Sequence, residues 1–137
     1  MNIWDKFKAK YASFDSSGKL ITVLFFTTLT GWILSSVYEP VYMQLVVVKG
    51  FLPALLQPWS WITYGFLHGD LWHFIGNAFG IYITGRYILN LFTARQFLSL
   101  FFIGVLAGSV SFILATGLIP NFFRGSSMIG ASAGVFA

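Results

Sequence analysis

The sequence predicts an all-α integral membrane bundle, and three observations carry that expectation. The chain is 57% hydrophobic and only 9% charged, against about 25% charged residues in an average soluble domain. Its apolar residues fall in long uncharged runs, as membrane-spanning helices require, rather than in short alternating segments. Glycines recur four residues apart in the later runs, Gly76 with Gly80, Gly104 with Gly108 and Gly130 with Gly134, a spacing that lets helix backbones approach closely in lipid.

The same numbers exclude several classes. With 137 residues and a mean hydropathy of +0.78 there is room for one domain and no separate water-facing module. The absence of cysteine removes disulfides, thiolate metal sites and a cysteine nucleophile. The net charge of +4 does not indicate nucleic acid, because the basic residues stand at the ends of apolar runs, where they set membrane orientation.

Residues 1–19 interleave Lys6, Lys8, Lys10 and Lys19 with Trp4, Phe7, Tyr11 and Phe14, and are expected to form a short amphipathic segment on the cytoplasmic membrane surface. Residues 20–137 form the membrane domain. Its first span is expected over Leu20 to Tyr38, uncharged throughout and close to the roughly 20 residues a hydrocarbon core requires. A cleaved signal peptide is the competing reading, but its apolar core is usually about 7 to 15 residues and no small-x-small site follows here. Pro53, Pro58, Gly50 and Gly65 then interrupt any span, while Trp59 and Trp61 suit a headgroup interface. Residues 40–69 are therefore expected to be an outer loop dipping into the membrane.

A second helix is expected from near Leu71 past Arg86 to about Leu91, with Arg86 snorkelling, and a third within the uncharged stretch between Arg95 and Arg124. Gly125 to Ala137 is too short to cross and reads as the start of a fourth. Six basic residues, Lys6, Lys8, Lys10, Lys19, Arg86 and Arg95, fall on one side and two, Lys49 and Arg124, on the other. That asymmetry puts the N-terminus in the cytoplasm.

Two features could carry chemistry. His73, Asn77, Gly80 and Thr84 share one face of the second helix; polar groups at membrane depth mark functional positions, although Asn and His also serve as interhelical glue. Ser132 sits in Gly-Ala-Ser-Ala-Gly, residues 130–134, so its hydroxyl is expected to be accessible. The alternative is a serine bonded back to its own helix. As a nucleophile it needs a base to take its proton.

Taken together, Phe66 to Asn77 (FLHGDLWHFIGN), the third helix with its glycine pair and Gly130 to Gly134 (GASAG) resemble the rhomboid family. The resemblance implies a six-helix bundle with an outward-opening, water-filled cavity, of which this sequence holds three complete transmembrane helices and the start of a fourth. It assigns Ser132 as nucleophile and His73 with Asn77 as oxyanion stabilisers. His68, Gly130 and Gly134 would be structural. It implies an intramembrane serine endopeptidase acting on transmembrane proteins within the bilayer of a plasma or inner membrane, with no metal, nucleotide or prosthetic group.

The family's base, a histidine on the sixth helix, has no counterpart here, because both histidines precede Ser132. The chain therefore reads as the N-terminal portion of such an enzyme, inactive as it stands. Ala133 replaces a common glycine, and the acidic residue often found at the cytoplasmic end of the second helix is missing around Arg86 to Leu91. The alternative is an inactive rhomboid-like protein that holds membrane clients without cutting them. A channel or transporter finds no support in paired charges or broken repeats. Oligomeric state is not readable.

Overall fold

A computed structural model of the chain describes residues 2–5, 16–121 and 127–135. Most of the expected amphipathic N-terminal segment lies outside the described residues. The first long helix, α1, spans Ser16–Val37. Thr22, Thr27, Thr28, Thr30 and Ser36 each donate a hydroxyl hydrogen bond to the carbonyl one turn earlier. These five hydroxyls are thus satisfied within the helix, as hydrocarbon surroundings would require.

The stretch after α1 is more ordered than an irregular loop. It contains α2 (Glu39–Leu45), strand β1 (Val47–Val48), α3 (Phe51–Leu56), α4 (Ser60–Thr63) and a 3-10 turn at Tyr64–Phe66. No piece exceeds two turns, as the proline and glycine spacing requires. Side chains close the backbone groups that such short pieces leave open. Trp59 Nε1 donates to the Gln44 carbonyl at 2.8 Å, Trp61 Nε1 to Ala54 at 2.9 Å, and Thr63 Oγ1 to Leu45 at 2.7 Å.

Helix α5 runs over Leu71–Ile88 and is N-capped by Asp70. It ends before the expected Leu91, because Asn90 and Leu91 bond three residues back and tighten the chain into a turn. Helix α6, Ala94–Leu118, starts at a capping box in which Thr93 and Gln96 satisfy each other's backbone N–H. Strand β2 (Ser127–Met128) pairs antiparallel with β1, Val47 opposite Met128. Helix α7 begins at Ser132 and is described to Val135.

Helices α1 and α5 pack antiparallel. Ile21 lies against Gly85 at one end, and the Trp32 and Phe74 rings stack at 5.3 Å at the other. Tyr64, Ile81, Phe101, Val105, Ala131 and Val135 form the core where the loop, α5, α6 and α7 meet. The glycine pairs shape it: Gly80 receives Val135, Gly108 receives Ala133, and Gly134 sits on Phe101. Gly76 does not join in, since a Cβ there would touch nothing within 4 Å. Asn77 and Gly80 face inward, which turns Gly76 to the outside. The expectation that both glycines of that pair pack helices is corrected to Gly80 alone.

Among the described residues one helix, α6, is long and apolar enough to cross a membrane, and α1 holds a shorter apolar stretch, Gly18–Leu34. His73, Asn77 and Arg86 dilute the apolar character of α5.

Candidate active site

The site is assembled on the first turns of α5. The Asp70 carboxylate accepts the His73 backbone N–H at 2.9 Å, fixing where the helix starts and which way His73 leaves it. Asn77 follows one turn later, 7% exposed. One N–H of its amide donates to the His73 carbonyl at 2.9 Å, which pins the side chain and leaves the second N–H of the NH₂ group to point elsewhere.

Gly130 faces both residues. Its φ of +111° lies in the region that favours glycine. A Cβ on it would stand 2.5 Å from His73 Nε2 and 3.7 Å from Asn77 Nδ2. Two side-chain nitrogens from α5 therefore converge on the backbone two residues ahead of Ser132. The Gly130 N–H donates to the Tyr64 carbonyl at 2.9 Å, and the Tyr64 hydroxyl donates to the Val105 carbonyl at 2.7 Å. Tyr64 thus clamps the Gly130 segment to α6.

Ser132 is exposed at the start of α7, between buried Ala131 and half-buried Ala133. Among the described residues no hydrogen bond joins its hydroxyl to a base, and it is not bonded back to its own helix. Gly134 anchors α7 against Phe101. The structure thus brings together His73, Asn77 and Gly130, with Ser132 next along the chain. Thr84, the last member of the polar stripe, donates to the Gly80 carbonyl of its own helix.

His68 lies in the loop ahead of α5, 2% exposed. Its ring meets that of His73 edge-on at 5.1 Å and that of Phe74 at 5.6 Å. Neither ring nitrogen makes a hydrogen bond of ordinary geometry among the described residues. Burial, then repulsion from His73, lowers its pKa to about 4, against weaker opposing effects of the Phe66 backbone and Asp70.

With the folded pKa below the unfolded value of about 6.5, the unfolded chain binds the extra proton between those two values. Stability from a neutral His68 is therefore complete above about pH 6.5 and is lost as pH falls toward 4. The melting temperature in detergent is expected to drop across that window, and His68→Phe to flatten the drop. An equal slope in both proteins would remove His68 as its source.

Sequence reasoning missed Tyr64 and Asp70. An Asp three residues ahead of His73 is a readable N-cap signal. Nothing local marks Tyr64, whose partners lie 41 residues away on α6 and in the Gly130 segment.

A family model described as "Rhomboid domain" matches residues 55–137, a stretch that begins in α3 and includes every residue of this site. No curated protein matches the chain.

Proposed function

The chain belongs to the rhomboid family, and on that premise we propose that it is the Ser132-bearing part of an intramembrane serine endopeptidase that cleaves transmembrane proteins. The observation that carries the reading is the convergence of His73 Nε2 and the Asn77 amide on Gly130, beside an exposed serine. In this reading α1, α5 and α6 cross the bilayer, the loop between α1 and α5 dips into its outer face, and the N-terminal segment lies on the cytoplasmic side. Residues 20–137 belong to the catalytic domain.

The Ser132 oxygen attacks the carbonyl carbon of the scissile peptide bond as its proton passes to a base. The carbonyl electron pair moves onto oxygen, where N–H groups of His73 and Asn77 receive it. Collapse of the tetrahedral species expels the amine, which takes the proton back from the base, and water releases the acyl group by the same steps. The family resemblance implies a further histidine as that base; His68 is buried, and among the described residues neither His68 nor His73 is hydrogen-bonded to Ser132. The steps require no cofactor.

A fluorophosphonate reagent applied to the natural full-length protein in its membrane, followed by peptide mapping, tests the reading. Modification at Ser132 supports it; an unmodified Ser132 in a folded protein would favour a rhomboid-like protein that binds membrane clients without cutting them. Asn77→Ala is expected to slow cleavage by about 10²- to 10³-fold, the usual effect of one oxyanion donor, while serine modification persists in part. Equal cleavage rates would remove Asn77 from the mechanism.

A further inference from the structure

Two grooves away from Ser132 share Tyr82 and Arg86. The first, of about 370 Å³, lies between α1 and α5 and is lined by Ile21, Phe25, Ala78 and Ile81 together with Arg86. The hydroxyl of Thr22 in that wall donates to the Gly18 carbonyl at 2.8 Å, so it offers a ligand no unmet hydrogen. The second, of about 300 Å³, opens beside it and adds Tyr87 and Asn90. Tyr82 and Arg86 are four residues apart on one face of α5, and Asn90 follows in the turn beyond its end.

An apolar trough thus leads to a cluster of a guanidinium, phenol hydroxyls and an amide. Among the described residues no acidic side chain lines either groove. The geometry points to a binding site for one anionic phospholipid of the leaflet that meets the start of α1: an acyl chain lies between α1 and α5, and the phosphate sits on Arg86 with the polar headgroup toward Tyr82 and Asn90. Arg86 matches a phosphate with its planar fork of donors. A zwitterionic headgroup would add a positive charge that no carboxylate among the described lining residues balances, whereas Arg86 meets an anionic one directly. The inference requires the chain to lie in a bilayer and requires nothing of Ser132.

Native mass spectrometry of the full chain, released from detergent in the presence of phosphatidylglycerol or phosphatidylcholine of matched acyl chains, tests it. One phosphatidylglycerol is expected to be retained in preference to phosphatidylcholine. Arg86→Gln is expected to weaken that retention about fivefold, the effect of about 1 kcal/mol per basic side chain at an anionic surface, and to abolish the preference. Ala78→Phe, which fills the trough, is expected to reduce retention with Arg86 intact. Equal retention of the two lipids, an unchanged preference in Arg86→Gln, or full competition by glycerol 3-phosphate would each overturn the proposal. Ser132→Ala is expected to bind lipid like the parent, so loss of the protease reading would leave this one standing.

Discussion

Ser132→Ala in the natural full-length protein is expected to lower cleavage of a transmembrane substrate by about ten-thousand-fold or more, with no change in melting temperature. The size follows from the chemistry: without the hydroxyl there is no covalent intermediate, and only substrate binding and the oxyanion donors remain to speed attack by water. The unchanged stability follows from the structure. The side chain is exposed and makes no hydrogen bond among the described residues, and alanine is the best helix former for the first turn of α7. Cleavage retained at more than a few per cent would place the nucleophile elsewhere. A large drop in melting temperature would show that the serine is a structural element.

Gly130→Ala is expected to be nearly as damaging, about a thousand-fold or more in cleavage, for a different reason. A methyl group there would sit 2.5 Å from His73 Nε2 and 2.8 Å from Cε1, so the ring must move or the loop must back away. Either change pulls the donors out of register with Ser132, and a misplacement of about 1 Å can itself lower a rate about a hundred-fold. The Asn77 amide, 3.7 Å from the same methyl group, is in ordinary contact and stays, so the loss falls on the His73 donor, worth about 10² to 10³, and on the serine segment itself. The φ of +111° adds strain of about 1–3 kcal/mol for any residue with a Cβ. A combined readout separates the two effects: serine modification and a melting temperature lowered by a few degrees, together with near-zero cleavage, identify lost donor geometry. Cleavage within tenfold of the parent would mean that the Gly130 segment is not part of the oxyanion site.

The sequence made some of this legible and not the rest. His73 and Asn77 were readable as neighbours because a helix places residues four apart on one face whatever it packs against. The start of α5 was readable to the residue, near Leu71, while its end was overrun because the tight turn at Asn90 and Leu91 has no proline or glycine to announce it. Gly76 shows the limit of spacing arguments. The pair with Gly80 has the right interval, yet which of its members meets another helix depends on rotation about the axis, and the buried Asn77 decides that rotation. The pairing of Val47–Val48 with Ser127–Met128 had no local signal, since two residues are too few for an alternating pattern. Tyr64 was hidden for the same kind of reason, its two hydrogen bonds being set by partners remote along the chain.

That strand pairing also determines when the site can exist. The segment carrying the serine is tied at Met128 to Val47 and at Gly130 to Tyr64, partners that leave the ribosome long before it does. Closing so long a loop is entropically unfavourable until the intervening helices have packed. A nascent chain therefore displays His73 and Asn77 before Ser132 is beside them. On the proposed reading, the hydroxyl joins them only after α5 and α6 have packed, and a chain inserted as far as α5 has the donors without the serine.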